Sequence, residues 1–153
     1  MAQTKEKVFS WPHGKRFWVP VFSVWIVMMF TDFLFHGIFL APLYQQTAQF
    51  WRASDEIQRM MPWMWVSQFM FSLAFVWIYL QGLSKANLWT QAFRYAFAIL
   101  LVAKFPEQLG AWAMAPYPAE LVLWWLVIAI VQALAASFCL TWTYQKVQKA
   151  WKS

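Results

Sequence analysis

The chain has 153 residues, of which 62% are apolar and only 12% charged, against roughly 45–50% and about 25% in soluble domains. A chain this short leaves too much surface exposed to hide that much apolar material from water, and with 22% aromatic residues it is neither a disordered tail nor a water-soluble enzyme. Its lone cysteine, Cys139, excludes an internal disulfide, a CxxC redox pair and a cysteine-based zinc site, and the net charge of +6 reads as the positive-inside bias of a membrane protein rather than as a nucleic-acid footprint.

A helix needs about 20 mainly apolar residues to cross roughly 30 Å of hydrocarbon. Four segments qualify, at approximately 17–43, 62–83, 93–115 and 120–144. The spacing predicts an all-α fold, a four-transmembrane-helix bundle in a single membrane domain over residues 1–153. The first span carries Asp32 and His36, is longer than a signal h-region and has no A-x-A site after it, so it reads as a permanent helix. Pro42 then precedes a polar run, Gln45–Arg59, that holds Arg52, Asp55, Glu56 and Arg59. Pro62 is expected in the first turn of the second span, where a missing N–H costs nothing. Gly82 and Ser84-Lys85 close that span, and Pro116-Tyr117-Pro118 reverses the chain between the third and the fourth.

Orientation follows from the cations. Lys5, Lys7, Lys15, Arg16, Lys85, Arg94, Lys146, Lys149 and Lys152 fall on one side, against Arg52 and Arg59 on the other. Nine against two predicts that N- and C-termini are both cytoplasmic. Trp11, Trp18, Trp51, Trp63, Trp89, Trp142 and Trp151 lie near span ends, where interfacial anchors belong, while Trp25 and Trp77 read as packing residues. Along the fourth span Ala129, Ala133, Ser137 and Thr141 recur every four residues. They form a close-approach packing stripe of the kind that brings membrane helices together.

Ionisable groups at membrane depth are costly unless paired or hydrated, so each is a candidate site. Asp32 and His36, at i,i+4, are expected on one face of the first span. Lys104 and Glu107 flank Pro106 in the third, where the carbonyl of Val102 loses its partner. Asp32 lies about 22 Å along its span and Glu107 about 21 Å along its own. Gln68 and Gln132 reach similar levels, which completes an expected intramembrane polar cluster of Asp32, His36, Gln68, Lys104, Glu107 and Gln132. Three uses compete for it. Asp32–Lys104 and His36–Glu107 can be structural pairs; the cluster can be a proton or ion path; or Asp32, His36 and Glu107 can be three ligands of a Zn²⁺-like metal. No catalytic residue is identified: G-x-S-x-G, H-E-x-x-H, P-loop and G-x-G-x-x-G patterns are all absent. Haem is disfavoured, because His36 is the sole histidine inside a span and His13 precedes the first. The aromatic faces suit lipid, quinone or pigment, and no cofactor follows from the residues.

The string from Asp32 to Gly37, then Tyr44, then Thr47 to Arg52, resembles an uncharacterised family of small four-helix bacterial integral membrane proteins. That family carries an HG…Y…TA…WR stretch ending the first helix, an RY pair entering the third and a P-x-P turn entering the fourth. Here these are His36-Gly37 through Trp51-Arg52, Arg94-Tyr95, and Pro116 to Pro118 with Leu121 and Trp124. The chain departs from the pattern at Ala96, where the family has glycine, and at Gln132, where the family has an acid; Lys104 and Glu107 are particular to this chain. The resemblance implies a multi-pass protein of the bacterial inner membrane and names no substrate. Three functions are expected in order: an accessory subunit packed against a larger membrane complex of respiratory or photosynthetic type; a small proton- or ion-coupled transporter; and a metal-dependent membrane enzyme. Its partners are then membrane lipid and other membrane-protein subunits, with no nucleic acid.

Overall fold

A computed structural model describes residues 14–82 and 87–152. Lys5, Lys7, Trp11, His13 and Lys85, with the side chains of Trp151 and Lys152, lie outside that description. The chain is 91% helix, with no strand among the described residues. Three helices are long and apolar enough to cross a membrane: Lys15–Phe39, Ser54–Gln81 and Ala119–Ala150.

The first begins at Gly14, whose φ of 79° favours a residue without a Cβ. It runs as α1, Lys15–Asp32, and continues as a π-helical segment, Phe33–Phe39. A short α2, Ala41–Gln46, and a 3-10 turn, Ala48–Phe50, then turn the chain. The expected span to residue 43 therefore ends earlier, at Phe39, because the backbone rearranges before Pro42.

The second helix, α3, spans Ser54–Gln81 and starts well before the expected position 62. Asp55 and Glu56 occupy its first turn, where the helix dipole favours acids. Arg59 pairs with Asp55 at 2.6 Å, and Arg52 with Glu56 at 3.8 Å. Pro62 thus sits inside the helix rather than in its first turn.

The third expected span is built in pieces: α4, Leu88–Ile99, a π segment, Leu100–Lys104, and α5, Phe105–Met114. Asn87 caps α4 by accepting from the Thr90 N–H at 2.8 Å. Each π segment precedes a proline near the start of the next helix, Pro42 of α2 and Pro106 of α5. A proline nitrogen cannot donate, and its ring crowds the carbonyl one turn back. Widening that turn to the i→i+5 pattern relieves the clash, as in the Leu40 N–H bond to the Phe35 carbonyl.

The last helix, α6, runs Ala119–Lys152, about 51 Å at 1.5 Å per residue. It outlasts a hydrocarbon core and carries Lys146 and Lys149 beyond it.

Contacts set the directions. Asp32 meets Gln132 while Phe39 meets Trp124, so α1 and α6 are antiparallel. Trp89 meets Phe138 while Leu100 packs with Ala129, so α4 also opposes α6. The main core joins Phe17, Val21, Val24 and Met28 of α1 to Phe75, Val76 and Tyr79 of α3, Ile99 of α4, and Ala136 and Leu140 of α6. Ala129, Ala133, Ser137 and Thr141 are all buried, and the first two pack on Ala96 and Leu100. Small side chains there let the α4 and α6 backbones approach closely.

The two halves of α3 differ. From Ser72 onward it contributes Phe75, Val76 and Tyr79 to the core, whereas every residue from Ser54 to Ser67 is exposed.

Candidate functional site

Asp32 is the last residue of the regular part of α1 and projects between α3 and α6. Gln68 of α3 donates its amide N–H to one carboxylate oxygen and Gln132 of α6 donates to the other. Gln132 is 4% exposed and also donates to Thr31 Oγ1 at 3.2 Å. The Thr31 hydroxyl proton is directed back along its own helix, to the carbonyls of Val27 at 2.9 Å and Met28 at 3.0 Å. Its lone pairs therefore face the Asp32 carboxylate region, where Gln132 approaches. A carboxylate, a hydroxyl and two carboxamides from three helices converge on one point.

The other ionisable groups go elsewhere. Lys104 holds its Nζ over the Phe71 ring, 4.7 Å from the centroid, a cation–π contact rather than an ion pair. Glu107 is exposed. Among the described residues no ion pair joins Asp32 to Lys104 or His36 to Glu107, so the expected structural pairs are replaced by amide and aromatic contacts. Nor does any group of three His, Cys, Asp or Glu side chains among those residues converge to hold a metal. Asp32, His36 and Glu107 point apart, which removes the three-ligand arrangement expected from spacing.

The π segments explain these departures. An i,i+4 pair shares a face only while the helix keeps 3.6 residues per turn; the wider π turn after Asp32 breaks that register. His36 is carried round to α2 and α6, where Nδ1 lies 2.6 Å from the Tyr44 hydroxyl. Trp125 Nε1 donates to the same Tyr44 oxygen at 2.9 Å. An indole can only donate, so the Tyr44 proton is free to go to His36 Nδ1, which makes Nε2 the protonated nitrogen of a neutral imidazole. Burial pushes the Tyr44 phenol above its ordinary range, against the opposing effect of the Trp125 bond, and keeps that donor protonated.

Around this triad an aromatic cluster closes the end of the bundle. Trp51 stacks on Tyr117 at 5.5 Å, and Trp125 meets both, at 6.0 Å and 5.3 Å. Trp51 Nε1 donates to Thr47 Oγ1 at 3.0 Å. Trp51 is therefore a half-buried structural residue rather than an exposed anchor, while Trp18, Trp63, Trp89 and Trp142 are exposed. Tyr44 and Trp125 were not among the expected site residues. The signal available was Tyr44 and Trp51 recurring in the motif after His36; the sequence offered no partner for them, because Trp125 is 81 residues away.

No family model, curated protein or solved structure matches the chain.

Proposed function

We propose that the protein is a four-crossing integral protein of the bacterial inner membrane, with both termini cytoplasmic, and that it serves as an accessory subunit on a larger membrane assembly. The fourth crossing in this reading is α4–π–α5, which runs opposite to α6 over the length of their contact. Kinship with the small four-helix bacterial proteins belongs to the same proposal, on the motif from Asp32 to Arg52.

One observation carries the subunit reading. The first half of α3 packs on nothing in this chain, and it presents Met60, Trp63, Met64, Trp65 and Val66 at 45–70% exposure. Membrane helices associate through packing rather than hydrophobic drive, so a half-helix without neighbours gains nothing from its own bundle. A partner helix supplies that packing, and methionines adapt to its shape. Membranes solubilised in mild detergent and run on a native gel provide the test. The wild-type chain migrates with a larger assembly, and Trp63→Ala with Trp65→Ala releases it as a small folded species. A wild-type chain that migrates alone at its own size refutes the reading.

A second reading, proton- or ion-coupled carriage, is favoured by Asp32, a carboxylate deep in the bundle whose contacts are neutral amides. Flux into liposomes by the wild type and its loss in Asp32→Asn support it; equal flux in both removes it.

A further inference from the structure

We propose that Thr31, Asp32, Gln68 and Gln132 form a binding site for a monovalent alkali cation of the Na⁺ class.

The argument begins with charge. Asp32 contributes one formal negative charge in the middle of an apolar helix, and its two oxygens are approached by the uncharged amides of Gln68 and Gln132. Among the described residues no cationic side chain lies within ion-pair distance of it; Lys104 is held on Phe71 instead. A lone carboxylate in a low-dielectric interior needs one compensating positive charge. A monovalent cation balances it, whereas a divalent one leaves the site with net charge.

Donor chemistry points the same way. Hard cations take oxygen ligands, and each group here carries one or more. Thr31 Oγ1 has its proton committed to the Val27 and Met28 carbonyls and so offers only lone pairs inward. Gln68 and Gln132 already place their carboxamides against the carboxylate. Half a turn about the terminal bond exchanges N–H for carbonyl oxygen at the same position. Asp32, Thr31 and the two amides then surround a cation with oxygen from α1, α3 and α6. Nitrogen and sulfur ligands, which a transition metal prefers, are not in this set: His36 Nδ1 is bonded to Tyr44, and Cys139 lies beside Thr143. The backbone beyond Asp32 is π-helical, the kind of irregular helix that accompanies ion sites in membrane bundles.

This deepens the second functional reading by naming the ion, yet binding requires no transport. Binding retained with no flux removes the carrier and leaves the site. Absence of binding removes the site and leaves the subunit reading intact.

The experiment uses the full chain in detergent or nanodiscs at fixed pH. Thermal unfolding is followed by tryptophan fluorescence while NaCl replaces choline chloride at constant ionic strength, and binding of radioactive Na⁺ is measured at equilibrium. The expected result is one Na⁺ per chain and a saturable rise in Tm. At a concentration of about one hundred times Kd, the folded-to-unfolded ratio rises about a hundredfold. Asp32→Asn, nearly the same shape, abolishes both effects, and Gln132→Leu weakens binding by about tenfold, the loss of a single ligand. If Asp32→Asn does not fold, Gln68→Leu and Gln132→Leu replace it with the same expectation. Several results overturn the proposal: no bound Na⁺, equal Tm in sodium and choline, stabilisation by lowered pH alone (a proton site), Ca²⁺ binding in preference to Na⁺, or Na⁺ binding that survives Asp32→Asn.

Discussion

Gln132→Leu isolates what one buried amide does for the bundle. Gln132 is 4% exposed, and leucine is close to it in volume, so the substitution leaves little cavity and the change is mainly polar. Two hydrogen bonds disappear, one to the Asp32 carboxylate and one to Thr31 Oγ1. A bond to a charged group contributes about 1.5–3 kcal/mol, and an interhelical bond in a bilayer averages about 0.6 kcal/mol. Against this, leucine avoids the cost of burying an amide, about 0.5–2 kcal/mol on scales that allow partial compensation. Gln68 remains on the other carboxylate oxygen, so Asp32 is not fully orphaned. The balance is a destabilisation of about 1–2 kcal/mol. It is measured by reversible unfolding in mixed micelles, following tryptophan fluorescence and far-UV circular dichroism together. A double-mutant cycle with Asp32→Asn separates the pair from the background, with an expected coupling of about 1 kcal/mol or more. Additivity of the two substitutions to within about 0.3–0.5 kcal/mol refutes the contact.

Lys104→Met should cost no more than about 1 kcal/mol, because a cation–π contact is replaced by a sulfur–aromatic one on Phe71; a loss of about 3–5 kcal/mol in the same unfolding assay points to a buried ion pair instead. Tyr44→Phe removes the oxygen shared by His36 and Trp125 and should destabilise by about 1–3 kcal/mol, with a shifted Trp125 fluorescence; an unchanged midpoint and spectrum place that hydroxyl outside the network. Ala133→Leu forces a larger side chain between α6 and the Ala96 and Leu100 surface and should cost about 1–3 kcal/mol, whereas Ile130→Leu on the exposed face of α6 should be neutral. For topology, Cys139→Ser with Asp55→Cys gives a chain whose thiol is labelled from outside intact cells by a membrane-impermeant maleimide, while a cysteine at Lys149 is labelled only after lysis; the reverse pattern inverts the proposed orientation.

The candidate site shows where reading along the chain succeeds and where it stops. Asp32, Gln68 and Gln132 are conspicuous as polar residues in apolar runs, and rise per residue alone places them at one level. Their meeting in space depends on α1, α3 and α6 sharing an interface. Depth does not specify which helices are neighbours. His36 and Glu107 are equally conspicuous, yet one turns to Tyr44 and the other to the exterior. A regular helix was the basis for grouping them, and the wider π turns before Pro42 and Pro106 rotate each out of register. Pro106 signalled a local disturbance, but a proline does not by itself specify a kink, a break or a π turn. The start of α3 at Ser54 was concealed by the polar run, whose Asp55 and Glu56 favour a helix N-terminus although they are poor membrane residues.

Composition and hydropathy by themselves determined an all-helical chain with helices long enough to cross a membrane, and the small-residue stripe of the last one. These are sums over consecutive residues, and burying apolar surface while satisfying backbone hydrogen bonds leaves a bundle as the available solution. Tertiary structure alone decided that Asp32 faces two glutamines instead of Lys104, that Tyr44 bridges His36 to Trp125, and that half of α3 is left without a neighbour. Each of those depends on the azimuth of a side chain about its helix axis, and one widened turn changes that azimuth with almost no change in hydropathy.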